Sequence, residues 1–345
     1  MTNCVCCFGE IMLRLSPPGY QRFAQVHSFD ATYGGGEANV IASLAKFGVP
    51  ARYITRLPAN ELGDACIMFL RQYGIDTSQI IRGGERIGIY FIENGAMQRA
   101  SNVIYDRSYS SMATIKPGMI DWKAALAEAA WFHWTGITPA IGGGPAEVCS
   151  EGIQKAKELG IKISCDLNYR AKLWKWGKTA LEIMEQLVKE CDLLICNEED
   201  AENIFGIKAD GADWKSGAVK GAKYRPVAEK LINRFPNLKL VAITLRGSLN
   251  ANHNTWAGLL FDGYEIYISE VFQLTHIVDR VGGGDAFAAG LIYGLIEFQQ
   301  NPQRALDFAV AASCLKHSIW GDINLVTRNE VDNLISGEAS GRVSR

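Results

Sequence analysis

Short apolar runs alternate with segments of helical periodicity along most of the chain, and this rhythm restricts the fold more than any other feature. Residues 4–8, 52–55, 131–134, 162–165, 193–196 and 240–244 read as strands. Residues 38–47, 64–73, 145–159, 180–189, 225–234 and 285–298 read as helices. Such alternation predicts a mostly parallel sheet with helices on both faces. Ligands on sheets of this kind bind beyond the carboxyl ends of the strands.

Two stretches break the rhythm. Residues 10–16 with 29–33, and 86–93 with 101–106, read as strand pairs without a helix between them. Gly95 sits in the turn of the second pair. A small β-sheet is therefore expected as an insertion spanning 10–33 and 86–112, placed to act as a lid. The expected organisation is one domain over 1–336 and a polar, disordered tail over 337–345.

Of the 345 residues, 48% are hydrophobic and 21% charged, which suits a globular chain with a sizeable core. A net charge of -2 with no long Lys/Arg run gives no electrostatic footprint for nucleic acid. The first ten residues lack the basic start of a signal peptide. The apolar run 286–296 falls short of the roughly 20 residues needed to span a bilayer. The cytosol is the expected location. Cys4 and Cys7 form a literal C-x-x-C, but on a strand they point to opposite faces, and no second pair follows at zinc spacing. The nine cysteines read as buried free thiols.

The strongest chemical signal is Asp279-Arg280-Val281-Gly282-Gly283-Gly284-Asp285, running into an apolar helix. Glycines allow close backbone approach, and the free N–H groups of a helix start attract an anion. A carboxylate at that mouth would repel phosphate unless it had another task, such as taking a proton from an attacking hydroxyl. A tight loop capped by Asp285 would have the same sequence. A second Gly-rich helix entry runs Gly34-Gly35-Gly36-Glu37-Ala38-Asn39. No G-x-x-x-x-G-K-[ST] is present, and neither are the H-R-D and D-F-G elements of protein kinases.

The first segment resembles the C-terminal signature of the PfkB, or ribokinase-like, family of carbohydrate kinases, D-T-x-G-A-G-D, with Arg280 in place of Thr and Gly283 in place of Ala. The second resembles the family's N-terminal signature, and the order of the two is the family's order. The likeness runs from about residue 4 to about residue 334. It implies a three-layer αβα core with a small lid, and MgATP as phosphoryl donor. It implies an anion hole from Gly282, Gly283 and Gly284, with Asp285 as base. A monovalent cation near the Asp279–Arg280 loop is a further candidate. Asn197-Glu198-Glu199-Asp200 resembles the family's N-x-x-E element, which would place Asp200 near Mg2+ through water. Asn168, Asn197, Thr244 and Arg246 are assigned to the nucleotide by the same resemblance, with Arg246 in a turn at the end of its strand.

The sugar end is read from Tyr90, Tyr105, Arg107 and Arg170. Two arginines on one pocket suit a carboxylate, which Arg grips in a bidentate fork. The run from Asp166 to Trp174, the Tyr105-Asp106-Arg107 step and Gly321-Asp322 resemble 2-keto-3-deoxygluconate kinases. The implied reaction is phosphorylation of that sugar acid at its terminal hydroxyl, with Gly34, Tyr90, Tyr105, Arg107, Arg170 and Asp322 around the substrate. Ordinary surface ion pairing is the alternative for both arginines. Fructokinase or a kinase of another sugar is the alternative activity, and a non-catalytic sugar- or nucleotide-binding regulator is the rival from another class. A homo-oligomer through the lid is the expected assembly.

Overall fold

The computed structural model describes residues 4–197, 199–209 and 221–338. Its strands are β1 (Cys4–Phe8), β2 (Met12–Ser16), β3 (Asp30–Gly34), β4 (Ala51–Leu57), β5 (Ile80–Arg82), β6 (Gly88–Glu93), β7 (Asn102–Asp106), β8 (Ala129–Thr135), β9 (Lys162–Asp166), β10 (Leu193–Asn197), β11 (Leu240–Ser248), β12 (Asn254–Phe261), β13 (Ile266–Ile268) and β14 (Phe272–Leu274). Its helices are α1 (Gly36–Lys46), α2 (Glu61–Arg71), α3 (Trp122–Ala125), α4 (Ile137–Ala140), α5 (Gly143–Glu158), α6 (Ala180–Val188), α7 (Asp200–Phe205), α8 (Arg225–Arg234), α9 (Gly283–Glu297), α10 (Pro302–Lys316) and α11 (Arg328–Ile335).

Strand β1 is buried along its whole length. A strand apolar on both sides needs cover on both faces, the situation of a parallel sheet between helix layers. Successive β1 residues divide accordingly. Cys4, Cys6 and Phe8 join a core with Trp122, Ile153, Met184 and Leu231, from α3, α5, α6 and α8. Val5 and Cys7 join the opposite core with Ile41, Leu70, Phe287, Phe308 and Val331, from α1, α2, α9, α10 and α11. Cys4 and Cys7 thus lie in different layers, and all nine cysteines are free thiols. The large sheet runs β13-β12-β11-β10-β9-β8-β1-β4-β5, with β14 on β12. It is parallel from β11 to β5, and antiparallel where β12 returns against β11.

The expected strands and helices are all present, within a few residues at their ends. Several elements are additional, the longest of them β12, α10 and α11. β12 is buried at every residue and follows β11 without a helix, so it breaks the βα rhythm. α10 is packed so deeply that it lacks a polar stripe. A helix without a one-sided apolar face carries little 3.6-residue signal. Its contact with α9 is close, because a Cβ on Gly290 or Gly294 would come within 2.8 or 2.6 Å of the Cα of Ala309 or Ala305. Residue Glu198 and the part of the expected tail beyond residue 338 lie outside the described residues.

The second sheet has four strands in the order β3-β2-β6-β7. The two expected pairs are joined into one sheet by parallel pairing of β2 with β6. Among the described residues, no helix is long and apolar enough to cross a membrane.

Candidate active site

A cleft of about 360 Å³ opens where β8, β9 and β10 end and the small sheet begins. Every residue singled out from the sequence lies on its wall: Gly34, Tyr90, Tyr105, Arg107, Asn168, Arg170, Asn197, Asp200, Thr244, Arg246, Gly282, Gly283, Gly284, Asp285 and Asp322. The parallel strands end at this one edge, so short loops far apart in sequence converge there.

The start of α9 forms the floor. Gly282 holds φ at 81°, and a Cβ there would overlap the carbonyl oxygen of Asp322. Only glycine combines that backbone with that approach. The N–H of Gly283 returns to the carbonyl of Arg280 at 3.3 Å. The amides of Gly284 and Asp285 belong to the first turn, whose N–H groups have no partner within the helix. Nothing lies within 4 Å of a Cβ built on Gly284, so this residue is open on that side. The Asp285 carboxylate is buried and accepts a hydrogen bond from Asn39 Nδ2 at 2.7 Å. Burial pushes its pKa up to about 6, and the Asn39 donor opposes that shift. The two Gly-rich segments of the sequence thus meet through one hydrogen bond.

One wall is cationic. Arg246 and Arg280 both line it, and neither has a carboxylate partner among the described residues. Arg280 donates to the carbonyl of Ala251 at 2.6 Å. Burial, and then the charge of Arg246, lower its pKa from the ordinary arginine value. The expected turn at 244–247 is not there. β11 continues to Ser248 because β12 pairs along its whole length, and Arg246 stands opposite Trp256.

The wall under the small sheet is an ion-pair network. Arg14 has 0% exposure, yet every nitrogen is engaged. Nε donates to Ser16 Oγ at 2.8 Å, Nη1 to Asp322 at 2.6 Å and Nη2 to Asp279 at 2.6 Å. Tyr90 OH donates to the other oxygen of Asp322 at 2.6 Å. A side chain on Gly34 would collide with Asp322, which explains that glycine. Arg107 donates through Nε and Nη2 to Glu10, whose other oxygen accepts from Ser110. Its guanidinium also lies 5.7 Å from the Tyr105 ring. Arg107 is therefore a partly compensated cation. Arg170 is different: it is exposed, donates to the carbonyl of Tyr169 at 2.9 Å, and acts electrostatically on Asp285, Asp166 and Asp200.

Asp200 is buried, and its two oxygens accept from the amides of Asn197 (3.0 Å) and Tyr169 (3.1 Å). It ties together the loops after β9 and β10. Burial, then the charges of Asp200 and Asp285, push Asp166 well above the usual carboxylate range. Among the described residues, Asn168 Oδ1 is a buried acceptor without a partner. Among the described residues, no group of three or more His, Cys, Asp or Glu is placed to hold a metal ion by itself.

Sequence reasoning did not foresee the parts of Arg14, Glu10, Asp166 and Arg280. In β2 the buried residues are Met12, Arg14 and Ser16, while Leu13 and Leu15 take the other face, half-buried, with Leu13 against the core of α1 and α2. Period-two reading points the leucines inward, which is the reverse.

Kinases that lack a P-loop and use a Gly-rich helix mouth beneath a small sheet form the ribokinase-like class, and this fold and cleft place the chain there. It belongs to the pfkB family of carbohydrate kinases, whose profile matches residues 2–326. It is 45% identical to 2-dehydro-3-deoxygluconokinase from Thermotoga maritima, with a TM-score of 0.91 over 97% of this chain and 99% of that one. It is 31% identical to 2-dehydro-3-deoxygalactonokinase from Haloferax volcanii over 341 residues, 99% of each protein. Identity to 2-dehydro-3-deoxygluconokinase from Thermoproteus tenax is 25% over 319 residues, 91% of this chain and 88% of that protein.

Removing one partner from a buried ion pair leaves the others uncompensated. Arg14→Met is expected to lower stability by about 3–5 kcal/mol in urea unfolding. Asp279→Asn added to it should recover part of the loss. A loss in the noise for Arg14→Met would remove the network from the stability of the fold.

Proposed function

We propose that the cleft transfers the γ-phosphoryl group of MgATP to the terminal hydroxyl of 2-keto-3-deoxygluconate, giving 2-keto-3-deoxy-6-phosphogluconate and ADP. The observation that carries this reading is the position of Asp285, at a helix mouth between the cationic wall and the wall of Tyr90, Tyr105, Arg107 and Asp322. The sugar-acid kinases among the relatives support the substrate class, in which gluconate and galactonate forms are epimers.

Asp285 takes the proton as the hydroxyl oxygen forms its bond to phosphorus and the bond to the ADP oxygen breaks. Of the anion hole expected from Gly282, Gly283 and Gly284, the Gly283 N–H is held by the Arg280 carbonyl, so the amides of Gly284 and Asp285 at the first turn of α9 are the ones left to meet the transferring group. Phosphoryl transfer depends mainly on positioning and charge stabilisation. Arg246 and Arg280 face the phosphates, with Asn168, Asn197 and Thr244 along the nucleotide. Asp200, and with it Asp166 and Asn168 Oδ1, offers oxygen acceptors for the waters of Mg2+, which prefers such outer contacts. Bound there, Mg2+ would neutralise phosphate charge. Gly34, Tyr90, Tyr105, Arg107, Arg170 and Asp322 surround the sugar acid.

The small sheet is read as a lid, inserted over 10–33 and 86–112 in a kinase domain of residues 1–336. Its tip reaches the nucleotide wall: Met97 N donates to Asn252 Oδ1 at 2.8 Å, and Ala251 N to Met97 O at 2.7 Å. Free thiols and ATP chemistry suit the cytosol. The outward face of the sheet carries Leu15, Phe91 and Ile104 in cross-strand register, with Ile104 49% exposed. Apolar faces of this kind mark contact surfaces, and a second copy of the chain is the proposed cover. Light scattering should give a dimer, and Ile104→Lys should shift it to monomer. A monomeric wild type would refute the assembly.

Asp285 accepts a proton only when ionised. With its pKa raised to about 6, kcat/KM should fall as pH drops below that value. Asn39→Ala removes a donor that favours the charged form, so the acidic limb should move to higher pH. Asp285→Asn should lower kcat by about 10²–10⁴ while ATP binding persists. A mutant with wild-type turnover would remove Asp285 from the mechanism.

One observation favours a neutral sugar such as fructose: Glu10 already compensates Arg107. The two readings separate in competition. If Arg107 holds a carboxylate, sugar acids outcompete fructose, and Arg107→Ala raises KM for the acid without changing KM for ATP. Loss of a buried charge partner costs roughly 2–5 kcal/mol. A higher wild-type kcat/KM for fructose would make the chain a fructokinase.

A further inference from the structure

Lys316 ends α10 with 0% exposure. Lysines are almost never fully buried unless paired. The ammonium of Lys316 makes no salt bridge among the described residues; its partners are main-chain oxygens. Nζ donates to the carbonyl of Asp279 at 3.2 Å and to that of Ile319 at 3.2 Å. Inward-turned carbonyl oxygens are the ligands with which proteins replace the water around K+. An ammonium group matches K+ in charge and closely in size.

These carbonyls belong to the Gly-rich loop and its support. Asp279 opens the loop that ends at Asp285. The last turn of α10 carries the same loop at two further points. Ser313 Oγ donates to the carbonyl of Gly283 at 2.6 Å, and Val278 N donates to the carbonyl of His317 at 2.8 Å. Charge balance points the same way. Asp279 and Asp322 share one cation, Arg14, so their network carries one excess negative charge. Lys316 supplies the second positive charge. Burial lowers its pKa below the ordinary lysine value, and the charges of Asp279 and Asp322 oppose that shift. Its charge in turn favours the ionised form of Asp285.

The monovalent cation that the family resemblance admits near this loop does not fit these residues. Two inward carbonyls are already taken by an ammonium. The Asp279 carboxylate is engaged by Arg14, by Gly321 N at 3.1 Å and by Val281 N at 3.0 Å. We propose that Lys316 is a built-in monovalent cation that positions the Gly-rich loop, so that the enzyme needs no K+ or Na+. This rests on the loop being the phosphoryl-transfer site. Lys316 is a positioning residue and touches neither substrate nor nucleotide in this account.

The test compares wild type and Lys316→Met at constant ionic strength in tetramethylammonium, lithium, potassium or ammonium chloride. Wild-type turnover should be the same in all four. The variant should lose about 10²-fold in tetramethylammonium chloride, the scale of a displaced catalytic loop, and recover about tenfold or more in KCl or NH4Cl but not LiCl. Thermal unfolding provides a readout independent of turnover: KCl should raise the Tm of the variant and leave wild type unmoved. If no sugar is phosphorylated but this thermal response appears, the cation role stands and the kinase reading falls. Wild type activated by K+, a fully active variant without added cation, or a folded variant indifferent to K+ in both readouts would each overturn the proposal. Should the variant not fold, the wild-type cation response decides alone.

Discussion

The guanidinium of Arg14 is the point on which the cleft depends. It joins β2 of the small sheet to Asp279 before α9 and to Asp322 between α10 and α11. Taking such charges out of water is unfavourable by several kcal/mol for each ion, and only near-complete hydrogen bonding offsets it. Here each guanidinium nitrogen has an acceptor, Asp322 also receives Tyr90, and Asp279 also receives two amides. Burial disfavours the charge on Arg14, but Asp322 and Asp279 hold its pKa above the ordinary arginine value. The geometry then propagates. Gly34 and Gly282 are both confined by Asp322, so the two Gly-rich entries to α1 and α9 are set by the same residue.

Charge is distributed unevenly between the walls of the cleft. Among the described residues, Arg246 and Arg280 have no carboxylate partner on one wall, where an incoming polyanion would complete them. On the other wall, Arg14 and Arg107 are already answered by Asp279, Asp322 and Glu10. Asp285 lies between, desolvated and held by Asn39. A carboxylate with its pKa raised by burial is a better proton acceptor than one in water, provided it remains ionised at working pH.

Much of this was legible in the chain. The βα rhythm, the strand pairs outside it and both glycine signatures stand in the structure where they were expected. The exceptions share a cause. β2 turns Arg14 to one face and its leucines to the other, because the first face meets a polar cleft while the second is the apolar one. α10 is buried over most of its length, and so loses the stripe by which a helix is recognised. Arg246 was expected in a turn, but an antiparallel partner carries its strand onward.

Sequence by itself determined the local elements, the family signatures and the residue types at the cleft, since periodicity, turns and caps act over a few residues. It could not say which charges meet. Arg14 and Asp322 are 308 positions apart, Asn39 and Asp285 are 246, and Arg107 and Glu10 are 97. Whether each arginine stays free for an anion or is neutralised by a carboxylate was decided only when packing brought those segments together. The reason is that an ion pair has no periodic signature, and its energy exists only at the separation and dielectric that the folded chain creates.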